Sequence, residues 1–147
     1  MLTGSFFNSV DEKGRAFVPT KLRYSLGERI WLVKGLDVCL YVYTPDAFAA
    51  FTEEYVTNRT LEDPNARKFQ RFILGGSREI EIDKQGRINI PQDHMDYAGI
   101  DKDVVFVGCG DRIELWGAEL YAKEMAPGNL DPDEMMRGKA RAATEEE

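Results

Sequence analysis

Cysteine and histidine are almost missing from this chain of 147 residues: Cys39, Cys109 and His94 are all it has. Two scattered cysteines make no disulfide framework, and they read as small buried hydrophobes in strands. A structural zinc takes four Cys or His ligands, and this chain owns three, so neither a metal nor a cofactor is expected. No residue near His94 completes a Cys-His or Ser-His nucleophile pair. Phosphate loops and nucleophile motifs are lacking too, so an enzyme is not expected. The one enzymatic option left open is a carboxylate-based hydrolase, because acids are plentiful. No apolar run approaches the ~18 residues of a membrane span. The start, Met1-Leu2-Thr3-Gly4, has no basic stretch followed by an apolar one. A secretory signal is therefore not expected, and a cytoplasmic location is the default.

Positive charge is also scarce. The net charge is −7, which taken alone opposes a nucleic-acid partner, since phosphate contacts need Lys and Arg. The deficit is uneven. In the last eighteen residues Asp131, Asp133, Glu134 and Glu145, Glu146 and Glu147 outnumber Arg137, Lys139 and Arg141. A global charge is a weak veto on a local patch. What is present is ordinary for a folded chain, with 43% hydrophobic and 31% charged residues, and enough Phe and Tyr to exclude full disorder.

The sequence repeats itself. Gly4-Ser5 returns as Gly76-Ser77, Asp11-Glu12-Lys13-Gly14-Arg15 as Asp83-Lys84-Gln85-Gly86-Arg87, and Pro19 as Pro91, all at a spacing of 72 residues. The register then slips by one, and Val42-Tyr43 matches Leu115-Trp116. The chain divides on this reading into a first unit (4–50), a linker with a helix (51–75), a second unit (76–122) and an acidic, mobile tail (126–147). A unit of about 45 residues is too small to bury a good core alone. Two copies side by side could complete one barrel about a pseudo-twofold axis.

Each unit predicts the same elements. A strand (5–10, 78–82) leads into an Asp-x-x-Gly turn, with Asp at the first turn position and Gly at the fourth. A second strand (15–18, 87–90) ends at Pro19 or Pro91. A short helix follows: Thr20 is expected to cap residues 21–26 with Gly27 as stop, and residues 92–98 stop at Gly99. Two strands come next (30–33 with 38–43, and 104–107 with 113–116), turning at Gly35 and Gly110. A closing helix starts at Thr44-Pro45, with Phe48, Phe51 and Tyr55 on one face, and its counterpart runs over 118–125 to Pro127. The linker helix begins at Asp63-Pro64, turns Phe69, Phe72 and Ile73 inward and ends at Gly75-Gly76.

The repeated motif is Asp-x-x-x-Arg. The Asp carboxylate can accept turn N–H groups, the Gly lets the chain reverse, and the Arg leaves the turn on a strand. Asp11, Gly14, Asp83 and Gly86 are the turn-ordering residues. Arg15 and Arg87 offer a planar donor fork that suits phosphate or the O6/N7 edge of guanine, with Lys13 and Lys84 beside them. In either copy alone, an ion pair within the turn explains the Arg equally well. Two symmetric copies suit a repetitive ligand such as a DNA groove. Lys13, Arg15, Lys21 and Arg23 are expected to form a small basic patch near the first motif, against Asp11 and Glu12.

The two Asp-x-x-x-Arg motifs, Lys13-Gly14-Arg15 leading to Val18-Pro19, Arg71-Phe72-Ile73-Leu74-Gly75 and Glu114-Leu115-Trp116 together resemble the MraZ family over about residues 1–125. The resemblance implies a mainly β fold with short helices, a double-split β-barrel of the AbrB/MazE/MraZ kind built from two SpoVT-AbrB-type repeats. It implies ring-like homo-oligomers. It also implies a transcriptional regulator that binds short direct repeats of double-stranded DNA in the promoter of the division and cell-wall gene cluster, in the cytoplasm at the nucleoid. The family's hallmark residues fall on Asp11, Arg15, Asp83 and Arg87. Arg15 and Arg87 would then touch DNA directly, while Lys13, Lys21, Arg23 and Lys84 meet phosphates. The competing class is an AbrB-type antitoxin that blocks a protein partner with its tail, though such chains carry one repeat and a longer tail.

Other features have plainer readings. Phe6, Phe7, Trp31 and Tyr41 could stack on single-stranded nucleic acid, but in a small barrel they read better as core or subunit interface. Glu79, Glu81 and Asp83 share a strand face that could hold a cation, and a solvated face is the simpler account.

Overall fold

A computed structural model describes residues 1–139. In chain order the elements are β1 (Ser5–Ser9), β2 (Arg15–Phe17), α1 (Thr20–Arg23), β3 (Arg29–Lys34), β4 (Leu40–Tyr43), α2 (Pro45–Tyr55), α3 (Pro64–Gly76), β5 (Arg78–Glu81), β6 (Arg87–Asn89), α4 (Gln92–Ala98), β7 (Asp103–Gly108), β8 (Ile113–Gly117) and α5 (Ala118–Glu124), then a 3-10 turn (Pro127–Asn129) and α6 (Pro132–Met135). The closing helix α2 thus continues past residue 50, and the tail enters two short turns of helix before residue 139. The acidic run Glu145, Glu146 and Glu147 lies outside the described residues.

Six strands form one antiparallel sheet in the order β1-β7-β8-β4-β3-β5, and β2 and β6 form a separate two-stranded ribbon. Exchanging each element with its counterpart 72 or 73 residues away turns that order into its own reverse. The order therefore carries a pseudo-twofold between β4 and β8. Each half also lends its first strand to the other half: β1 pairs with β7, and β5 pairs with β3. No ladder joins β1 to β5 among the described residues, so the six strands do not close on themselves. The ribbon lies against both outer strands, and Asn8 Nδ2 on β1 donates to the Phe17 carbonyl at 2.8 Å.

Strand alternation sorts the side chains into two cores. Ile30 and Leu32 of β3 and Leu40 and Val42 of β4 face one way, joining Ala16, Leu22, Ile88, Phe106, Ile113 and Leu115 under the ribbon. Trp31 and Val33, with Tyr41 and Tyr43, face the other way and meet Phe48, Ile73 and Trp116 beneath α2 and α3. Trp31 stacks on Phe48 at 4.7 Å between ring centroids. Being buried on both faces explains why all four residues of β4 are covered. The two long helices start as their sequences predict. Thr44 Oγ1 accepts from the Ala47 N–H at 3.1 Å and Asp63 from the Asn65 N–H at 2.9 Å, each just ahead of a proline in the first turn.

Several expectations are corrected. Thr20 is the first residue of α1, not its cap, and the helix has only four residues. Pro19 before it sets the entry angle, and the chain then continues in single turns to Gly27. Cys39 and Cys109 fall in the turns flanking strands, not in strands; Cys39 is fully buried and Cys109 half-buried. Burial pushes both thiols up. Of the two readings given for Phe7, core or subunit interface, the first is excluded, since it stands 72% exposed. α3 does turn Phe69, Phe72 and Ile73 inward as expected, Ile73 fully covered and the two phenylalanines half-buried against the same core. No helix among the described residues is long and apolar enough to cross a membrane.

Candidate nucleic-acid interface

The two Asp-x-x-x-Arg turns have one geometry. Asp11 Oδ1 accepts the N–H of Lys13 and of Arg15, both at 2.9 Å, while Oδ2 accepts Arg15 Nε at 2.9 Å. Asp83 repeats this with the N–H of Gln85 and Arg87 at 2.9 Å and Arg87 Nε at 2.8 Å. One carboxylate thus closes the turn and grips the guanidinium that leaves it. In both residues the backbone N–H of the arginine is the main reason that the carboxyl is held below the usual value, with the arginine side chain adding to it. Gly14 and Gly86 sit at φ +83° and +87°, the left-handed region that glycine enters without strain. A further pair of bonds crosses the halves: Val18 N–H donates to the Gly86 carbonyl at 2.9 Å and Ile90 N–H to the Gly14 carbonyl at 2.8 Å.

The ribbon register places the arginines. Arg15 is opposite Asn89, Ala16 opposite Ile88 and Phe17 opposite Arg87. Ala16 and Ile88 point into the core. Arg15, Phe17, Arg87 and Asn89 must then share the outer face, because residues two apart and residues directly opposite lie on one side. The arginines are two residue steps apart along the ribbon, about 7 Å by strand rise. Arg87 lies over the Phe17 ring at 5.8 Å. Each guanidinium is tied through Nε, and among the described residues no hydrogen bond engages its outer nitrogens. Both side chains are part-exposed, 31% for Arg15 and 21% for Arg87. Phe17 and Asn89 were not among the residues read from the sequence. Their signal was parity: each stands two positions after an arginine on the same strand.

The remaining cations divide differently from the sequence expectation. Arg23 does not lie beside the first motif. Its guanidinium covers Gly86 of the second turn, with Nη1 donating to the Gln85 carbonyl at 3.4 Å. The equivalent position in the second half is Met95, whose sulfur lies against Gly14 of the first turn. So α1 serves the second turn and α4 the first, and the patch expected around Lys13, Arg15, Lys21 and Arg23 is split between them. Lys13 and Lys84 are exposed at their turns. A cleft beside the first turn is lined by Lys13, Gly14, Asn89, Gln92, Met95 and Lys102, among others. Glu79 and Glu81 are exposed, Glu81 pairs with Arg29 at 3.5 Å, and Asp83 is committed to Arg87. Among the described residues no cluster of His, Cys, Asp or Glu could hold a metal.

Other proteins share this arrangement of sequence. A family model described as MraZ protein, antitoxin-like, matches residues 1–72 and again residues 73–129. A transcriptional regulator MraZ from Caldicellulosiruptor bescii is 44% identical over 133 residues, covering 90% of this chain and 92% of that protein. One from Caldanaerobacter subterraneus is 45% identical over 121 residues, covering 82% and 84%. One from Clostridium tetani is 42% identical over 135 residues, covering 92% and 94%.

Proposed function

This chain belongs to the MraZ family, and from that premise we propose that it is a sequence-specific DNA-binding transcriptional regulator and not an enzyme. The observation that carries the reading is the ribbon: two arginines, each clamped by its own aspartate, on one outward face about 7 Å apart along the strands. A two-stranded ribbon fits the major groove, and a guanidinium held by Nε keeps outer N–H groups for the guanine edge or a phosphate. Arg15 and Arg87 take that role. Lys13, Lys21, Arg23 and Lys84 meet backbone phosphates. Asp11, Gly14, Asp83 and Gly86 order the turns and do not touch DNA.

The finer parts of the reading follow the family resemblance. The sheet and its ribbon form a double-split β-barrel, with repeats over 4–50 and 76–122 joined by the linker 51–75. The protein acts as a ring-like homo-oligomer on short direct repeats in the promoter of the division and cell-wall cluster, at the nucleoid in the cytoplasm. A ring lets many modest patches act together, which raises avidity without new contacts. That compensates for a chain whose net charge is −7.

The test is a titration of the protein against a fluorescent duplex carrying the DNA just upstream of its own gene, with a scrambled duplex as control, across a range of salt. Preferred binding that weakens steeply with salt is expected. Equal or absent binding to both duplexes by a folded protein would overturn the reading and turn attention to a protein partner, the antitoxin alternative.

A further inference from the structure

The two turns are alike in backbone and unlike in charge. At the first turn Asp11 and Arg15 pair off, leaving Lys13 against Glu12. The helix seated there is α4, which contributes Asp96 and no cation. Its other acid, Asp93, is turned to Lys34 and Arg78 at 3.6 Å each. At the second turn Asp83 and Arg87 pair off, leaving Lys84 with no acid beside it in the turn. The helix seated there is α1, which lays Arg23 on the turn and carries the exposed Lys21. The segments that follow the helices, Glu28-Arg29 and Asp101-Lys102, are each neutral pairs. Among the described residues Lys13, Lys21 and Lys84 take part in no ion pair, and Arg23 donates only to a backbone carbonyl, so the two ends differ in the balance of charge and not in pairing.

The geometry points to a division of labour that rests on the DNA-binding reading. The second turn with α1 carries the grip on the DNA backbone, through Lys84, Arg23 and Lys21. The first turn with α4 adds little phosphate attraction and leaves Arg15 for base edges. The physical reason is that phosphate affinity depends on locally uncompensated cations. Beyond the Asp83–Arg87 pair the second turn and α1 carry Lys84, Arg23 and Lys21 and no acid, whereas beyond the Asp11–Arg15 pair the first turn and α4 carry Lys13 together with the acids Glu12 and Asp96. The aromatic stack of Phe17 under Arg87 lies at the same end.

Glu12 and Lys84 occupy equivalent positions at the repeat spacing, and both are exposed. Exchanging them, E12K with K84E, leaves the net charge unchanged and reverses the local imbalance. Binding to the upstream duplex would be measured across salt for the wild type, K84E, E12K and the double variant, with light scattering and circular dichroism to confirm size and fold. K84E is expected to weaken binding about tenfold or more and to flatten the log affinity against log salt line by about one unit. E12K should stay within about twofold of the wild type, and the double variant should follow K84E. Unchanged binding by K84E, tighter binding by E12K, or recovery in the double variant would overturn the inference while leaving the regulator reading in place. Failure of the wild type to prefer the upstream duplex would remove that reading, and the inference with it.

Discussion

Arg23 and Gly86 touch across the two halves of the chain: the guanidinium occupies the place where a side chain on residue 86 would begin. A glycine so placed does two things. It allows φ +87°, and it lets a cation from α1 lie flat on the turn. Gly86→Ala should lower stability by about 1–2 kcal/mol through left-handed strain. It should also displace Arg23 and weaken DNA binding. Gly14→Ala carries similar strain at φ +83° but moves no cation, since the Ile90 carbonyl, Asn89 and Met95 lie there. Urea unfolding and duplex titration on both variants separate the two effects: comparable stability loss with a binding loss confined to Gly86→Ala is the expected pattern.

Arg15→Ala and Arg87→Ala should each abolish preferred binding to the upstream duplex while light scattering shows an unchanged assembly. A lost base contact removes about 1–3 kcal/mol, and multivalent engagement multiplies that across subunits. Arg87→Lys keeps the charge but not the fork, and should lose preference for the upstream duplex more than general affinity. Promoter affinity equal to wild type in the alanine variants would exclude direct contact by these residues.

The aspartates give the protein an acid-sensitive element. Asp11 and Asp83 are both held below their ordinary value of 3.8 by hydrogen bonds from the turn. A depressed folded pKa contributes stability that is complete above the unfolded value and lost as pH falls through the folded one. Wild-type stability should therefore drop below about pH 4. The Asp11→Asn, Asp83→Asn double variant should show a flatter dependence. Urea midpoints from pH 2 to pH 5 measure it; parallel curves would show that the carboxylates add nothing to stability.

His94 is fully buried, and its Nε2 has no hydrogen-bond partner among the described residues. Nδ1 meets Asp93 at 3.1 Å, and that aspartate keeps Lys34 and Arg78 if the imidazole is removed. The equivalent residue in the first half is Leu22, equally buried. An orphaned buried polar atom costs about 1–3 kcal/mol. His94→Leu should therefore stabilise the fold by about 1–2 kcal/mol, read as a higher urea midpoint. A lower midpoint would mean that the Asp93 bond outweighs the orphaned nitrogen.

Much of this was legible in the sequence because the deciding interactions are local. The Asp-x-x-Gly turns, the Thr44-Pro45 and Asp63-Pro64 helix starts and the stop at Gly99 each depend on residues within a few positions of one another. What could not be read was which half covers which. The repeat spacing makes Arg23 and Met95 equivalent, but it does not say that each lies on the other half's turn. That follows from the antiparallel ribbon, which is centred on the equivalent pair Ala16 and Ile88 and sends the two following helices to opposite ends. The error over Thr20 has a local cause. A cap needs an extended residue before the helix, and Pro19 already fills that place.

The exchange of β1 and β5 between the halves has a consequence for how the chain behaves as a material. Each half is clasped by a strand that belongs to the other, like two hands each holding the other's wrist. Neither half has a complete edge of its own, so neither can yield while its partner stays whole. The pair of arginines is thereby presented as one rigid object, fixed in spacing by the same strands that bind the halves together.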